Sequence, residues 1–195
     1  MNETGRIEAF SDGVFAIAIT LLILELKVPA VDSETLGIAL LRQWPSYLAF
    51  LASFFTIGVM WINHHRLFTL IGAADDALIA INLLLLLGIT WVPFPTALLA
   101  EHLHARVAAL VYSTTFFAMS LVFQLLWSYA KRTHGIIRND KREQAIHITR
   151  QYIWGPVFYL IAILLALVSG TAVLIWSALL AIYFALPPAL FHKQR

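Results

Sequence analysis

The sequence predicts an all-α integral membrane protein of six transmembrane helices with both termini in the cytoplasm. Three observations carry that prediction. The 195 residues are 61% apolar and only 12% charged, against about 25% charged in a soluble domain, so there is too little polar surface to cover a water-soluble particle. Uncharged stretches near the 20 or so residues that cross a bilayer recur along the chain. Finally, Lys and Arg fall mainly on alternate loops, which sets orientation.

The expected spans are 6–28, 43–63, 77–99, 106–130, 149–168 and 171–191, forming one domain over 1–195. The first is the most interrupted by charge. Its uninterrupted stretch runs from Gly13 to Leu24, and Glu8, Asp12, Glu25 and Lys27 lie inside the full length. Charged groups at such depth face protein or water, not lipid, so this helix is expected to span while buried in an assembly. Acidic Glu3, Glu8 and Asp12 and the lack of a small-x-small cleavage site mark it as a retained helix, not a secretory signal.

After it, Val28 to Leu36 reads as a loop, with Asp32 or Ser33 as N-cap of a short amphipathic helix before Trp44. The second span closes on Trp61-Ile62-Asn63-His64-His65-Arg66. Asp75-Asp76 opens the third, where carboxylates favour the helix dipole, and Pro93 and Pro95 bend or end it. The fourth is uncharged from Val107 to Ala130. The basic segment Lys131 to Arg150 reads as a topology signal in contact with lipid headgroups, its second half extending the fifth helix; nucleic-acid binding is not expected. Gln151 to Phe191 is uncharged and long enough for two helices, with Ser169-Gly170-Thr171 as the hairpin and Pro187-Pro188 as the stop.

In this topology Arg6, Arg66, Lys131, Arg132, Arg138, Lys141, Arg142, Arg150, Lys193 and Arg195 share one side. Only Lys27, Arg42 and Arg106 lie on the other. The basic side is cytoplasmic. Trp44, Trp61, Trp91, Trp127, Trp154 and Tyr129 sit near span ends, as interfacial anchors do. Cysteine is absent, which excludes disulfides, thiol nucleophiles and thiolate metal sites.

At 100° per residue, Ile17, Leu21 and Leu24 form one stripe of the first helix. Gly13, Phe10 and Arg6 extend it backwards, and Thr20 lies beside it. Asp12 lies about 140° from Ile17. On periodicity alone the stripe reads as ordinary packing or lipid contact. Asp12 reads as a structural hydrogen-bonding residue with His64, Arg66 or Arg6 as partner, because an unpaired carboxylate there would cost several kcal/mol. His64 and His65 point about 100° apart, so they suit interhelical hydrogen bonding to the start of the first helix better than joint metal ligation. Asn82 and Gln124 are read as interhelical hydrogen bonders. His102 and His104 lack the further spacing of a metal site.

The segment RIEAFSDGVFAIAITLLIL, with Arg6, Phe10, Ser11 and Asp12 ahead of a long aliphatic helix, resembles the N-terminal signature of the lysosomal potassium channel family, transmembrane protein 175, in its prokaryotic single-repeat form. The resemblance implies a homotetramer in the cell membrane of a prokaryote, with four first helices lining a central pore. It implies potassium conduction without a TVGYG filter, aliphatic constriction rings at Ile17, Leu21 and Leu24, a pore-side hydroxyl at Thr20, and a helix-end structural motif of Arg6, Phe10, Ser11 and Asp12. The partners it implies are further copies of the chain, the bilayer and K⁺, with no cofactor or resident metal. Aliphatic rings offer no oxygen ligands, so a modest K⁺ over Na⁺ preference is expected. A secondary transporter is the alternative reading, disfavoured because no internal repeat and no midplane charge outside the first span is present. An enzyme is not expected, as no nucleophile-elbow or metalloprotease motif occurs.

Overall fold

The structure, a computed structural model, describes residues 4–141 and 154–185. Its regular elements there are all helical. α1 (Gly5–Leu21) runs into a 3₁₀ turn, Leu22–Glu25. α2 (Leu36–Arg42), α3 (Trp44–Leu70), α4 (Asp76–Trp91), α5 (Pro93–Glu101) and α6 (Arg106–Arg132) follow. A 3₁₀ turn at Asn139–Lys141 precedes α7 (Trp154–Ala166) and α8 (Gly170–Ala185). Among the described residues, strand pairing is limited to one isolated bridge between Ile71 and Ile137.

Four helical runs are long and apolar enough to cross a bilayer: Gly5–Glu25, Trp44–Leu70, Asp76–Glu101 and Arg106–Arg132. Trp154–Ala166 and Gly170–Ile182 are shorter apolar helices. The expected start at 149, the helical extension over 142–150 and the stop at Pro187-Pro188 lie outside the described residues.

α3 and α6 form the centre of the bundle. α3 packs on α1, α5 and α8, and α6 packs on α4, α5 and α7. α1 lies at the edge, held by α3 and α4. One apolar cluster joins Phe15, Ala18 and Leu22 to Ile57, Ile89, Tyr112 and Phe116. A second gathers Leu67, Phe68, Leu78, Leu85, Leu126 and Trp127 at the end where α1 begins.

The two prolines act through their missing N–H groups. α4 stops at Trp91, Val92 N–H tightens onto Ile89 O at 3.2 Å, and Pro93 opens α5. The Thr96 hydroxyl donates to Val92 O at 2.8 Å. Since that proton is committed, Thr96 Oγ1 accepts from Ser53 (2.8 Å), and Ser53 Oγ accepts from Tyr112 (3.2 Å). A sealed run of hydroxyls thus joins α6, α3 and α5 at the break, with each of these protons given to an acceptor inside the bundle.

Two local expectations change. The N-cap position of α2 is Thr35, whose hydroxyl turns back to Asp32 O at 3.1 Å; Asp32 and Ser33 stand outside it, and no α2 residue is buried. Trp127 is 2% exposed, a core residue instead of an interfacial anchor. The Tyr129 hydroxyl donates to Asp75 Oδ2 at 2.7 Å. Asp75 does cap α4, accepting from Leu78 N–H at 2.8 Å. That backbone bond first, then the Tyr129 hydroxyl, holds its carboxyl below the ordinary range.

Candidate functional site

α1 divides into two faces. Ser11, Phe15, Ala18 and, in the following turn, Leu22 recur at i, i+4, i+7 and i+11 and are buried against α3 and α4. The opposite face is open. Ile17 is 61% exposed, Leu21 42% and Leu24 63%, and Phe10, Gly13, Thr20 and Arg6 are exposed with them. One side of a helix with spanning length therefore carries a row of branched aliphatics that its own chain leaves uncovered.

The change to 3₁₀ winding after Leu21 alters the end of that row. With three residues per turn, side chains three apart eclipse, so Leu24 stands over Leu21 along the helix. The Thr20 hydroxyl donates to Ala16 O (3.0 Å) and Ile17 O (2.9 Å). Its proton is thereby turned into the helix, and the oxygen lone pairs face outward from the exposed side.

The back of α1 is anchored by polar bonds confined to its first two turns. Glu8 Oε1 meets His65 Nδ1 at 2.9 Å, and Asp12 Oδ1 accepts from the Trp61 indole N–H at 2.8 Å. Glu8 and Asp12 are four apart on α1, and Trp61 and His65 four apart on antiparallel α3, so the two bonds form adjacent rungs. Trp61 also stacks on His65, with ring centroids 6.2 Å apart.

Between the rungs lies a buried relay. The Ile7 carbonyl can only accept, so the Ser11 hydroxyl donates to it at 2.8 Å. Ser11 Oγ then accepts from Asn82 Nδ2 at 3.0 Å, and Asn82 Oδ1 accepts from His64 Nε2–H at 2.9 Å. The order of donation fixes the His64 proton on Nε2. The ring lies between Phe68 (4.4 Å between centroids) and Phe15 (5.4 Å), and Nδ1 has no hydrogen-bond partner among the described residues.

The signature residues thus separate. Ser11 and Asp12 turn toward α4 and α3, whereas Arg6 and Phe10 lie on the open face, and Arg6 forms no ion pair with a described residue. Asp12 meets Trp61, not His64, Arg66 or Arg6. The sequence reading missed the Trp61–Asp12 bond; matched depth of an aromatic N–H donor and a carboxylate was the available signal. At the far end of α1, Glu25 lies 4.0 Å from Lys27 Nζ. Among the described residues, no three His, Asp or Glu side chains converge as metal ligands.

Residues 6–93 match the family described as endosomal/lysosomal potassium channel TMEM175. The chain is 53% identical over 192 residues to a potassium channel of Chamaesiphon minutus, covering 95% of each. It is 47% identical over 190 residues to a potassium channel of Streptomyces collinus, covering 94% of this chain and 92% of the relative. The crystal structure of a lysosomal potassium-selective channel TMEM175 homologue from Chamaesiphon minutus superposes with a TM-score of 0.84 at 52% identity, covering 93% of this chain and 96% of that one.

Proposed function

Because the chain belongs to the TMEM175 potassium channel family, we propose that it is a potassium-permeable cation channel of the prokaryotic cell membrane, conducting along a central axis where the α1 helices of four copies meet. The reading takes six spans per copy and both termini in the cytoplasm, the side that the Lys and Arg distribution favours. The observation that carries it is the exposed row Ile17, Leu21 and Leu24 on a helix whose other face is fully packed.

Four copies around an axis turn each exposed side chain into a ring. Rings of Ile17, Leu21 and Leu24 hold water poorly when narrow and pass hydrated ions when wide, so they gate by dewetting. They supply no oxygen ligands. The Thr20 oxygen does, since its proton is already committed to the α1 backbone. Four such oxygens between the Ile17 and Leu21 rings favour a cation over an anion and give K⁺ a modest advantage over Na⁺. Glu8 and Asp12 contribute no ring charge, because their hydrogen bonds to His65 and Trp61 turn them toward α3. Their role is to hold the cytoplasmic end of α1 while its middle lines the path.

The test is K⁺ flux into liposomes from purified protein, comparing wild type with Ile17→Asn and Leu24→Ala. Both substitutions widen or wet a ring and are expected to raise flux and shift the K⁺/Na⁺ reversal potential toward zero. Unchanged flux in both variants, in preparations that still assemble, would place the row against lipid and overturn the pore.

A further inference from the structure

We propose that Gln43 is the positioning residue of the outermost constriction, setting where Leu24 stands by gripping the end of the first helix; this rests on the pore reading above.

The 3₁₀ turn at the exit of α1 packs on α3 and α5 through the buried Leu22, but Lys27 and Val28 just beyond it are exposed. From Leu26 the chain makes a long excursion through α2, and no residue of α2 is buried. Lys27 folds back locally, Nζ donating to Leu24 O at 3.2 Å, but this keeps the turn together without attaching it to anything else. Gln43 adds a polar attachment beyond Leu22. Its Nε2 donates to Lys27 O at 2.9 Å, closing a loop of 16 positions. The Gln43 backbone is itself fixed on both sides. Its N–H closes α2 on Leu40 O (3.1 Å), and its carbonyl accepts from Ser46 N–H (2.9 Å) and Tyr47 N–H (3.2 Å) at the start of α3.

One residue therefore joins three things: the end of α2, the first turn of a 27-residue helix, and the chain at Lys27, two residues past the turn that carries Leu24. The inner rings have a different support. Ile17 sits close to the buried Phe15 and Ala18, which pack in the bundle core. Leu24 has only Leu22 behind it as a buried neighbour in its 3₁₀ turn. Leu22 packs in that same core, so loss of the Gln43 bond loosens only the segment beyond it, where Leu24 stands, and leaves Ile17 in place.

The absence of cysteine allows single-cysteine reporters without background. Leu24→Cys and Ile17→Cys are each combined with Gln43→Ala, or with Gln43→Lys, which retains an N–H donor. Full-length protein in liposomes is then treated with a charged methanethiosulfonate, with mass spectrometry reading the reaction rate and K⁺ flux reading the consequence. Gln43→Ala is expected to change the rate at position 24 by about fivefold, the scale one neutral hydrogen bond controls. The rate at position 17 should not change, and Gln43→Lys should restore the rate at 24. Equal rates at 24 with and without Gln43, or equal changes at 17 and 24, overturn the proposal. Labelling at 24 that leaves flux unaltered overturns the pore reading instead, whatever the rates.

Discussion

The Asn82 amide nitrogen lies 3.0 Å from the Ser11 hydroxyl oxygen, tying α4 to α1. Asn82 is 1% exposed, and Ser11 and His64, at the ends of its two bonds, are fully buried. Asn82→Ala leaves the His64 Nε2–H donor without a partner and removes the donor to Ser11, whose hydroxyl keeps its bond to Ile7 O. A buried donor left without a partner costs about 1–3 kcal/mol, so the variant is expected to unfold at lower temperature in detergent. An unfolding midpoint equal to wild type would show that water fills the place of the amide at no cost.

The Asp12–Trp61 rung is partly exposed, and its contribution is correspondingly smaller. Trp61→Phe removes the indole donor and keeps a ring. In that background, Asp12→Ala should cost less than it does in wild type. The coupling in a double-mutant cycle is expected to be about 1 kcal/mol. Strict additivity of the two changes would mean that the bond contributes nothing to stability.

Asp75 predicts an acid limb in stability. Its folded carboxyl titrates below the ordinary value of 3.8 because Leu78 N–H and the Tyr129 hydroxyl stabilise the ionised form. Unfolded chain therefore binds the proton more readily than folded chain. The stabilisation is complete above the ordinary value and is lost as pH falls through the depressed one. Asp75→Asn is expected to flatten this part of the curve of unfolding midpoint against pH, measured from neutral pH to below pH 4. Parallel curves for the two proteins would dismiss the effect.

Two glycines should respond in opposite ways to alanine. A Cβ on Gly170 would collide with the Leu103 carbonyl, a backbone atom that cannot swing aside, so Gly170→Ala is expected to destabilise the α7–α8 hairpin strongly. Gly13 has nothing within 4 Å of a built Cβ and lies within α1. There alanine gains helix propensity of roughly 0.5–1 kcal/mol. Gly13→Ala should therefore hold or raise the unfolding midpoint, and any loss of K⁺ flux it causes would report crowding at the axis. A fall in the midpoint from Gly13→Ala would refute this account.

Much of this was legible in the sequence, and the failures have physical causes. The two-faced character of α1 follows from the 3.6-residue period acting on a long apolar segment, and the open side is the one that angles alone placed on Ile17, Leu21 and Leu24. The prolines at 93 and 95 declared the break after Trp91 by chemistry that no neighbour can override. The partner of Asp12 was not legible. Trp61 and His64 are three apart on α3, about 60° around the helix, so a small rotation of that helix decides which of them meets α1. Trp127 reads as an anchor by its position near a span end, but the pairing of residues 70–72 with 136–138 covers that end of the bundle and seals it. The grip of Gln43 on Lys27 joins positions 16 apart, a separation that no helical or strand period announces.

In the proposed pore, the tightened turn at Leu22–Glu25 would also set the length of the dry column. Three residues rise about 6 Å in 3₁₀ winding but about 4.5 Å in an α-helix, so Leu21 and Leu24 are drawn apart along the axis without an added residue. Rewinding that one turn as α-helix would shorten the column by about 1.5 Å and swing Leu24 sideways by about 60°. A Leu24 ring, if four copies meet as proposed, would thus change its bore through backbone winding alone, with no side chain leaving its rotamer.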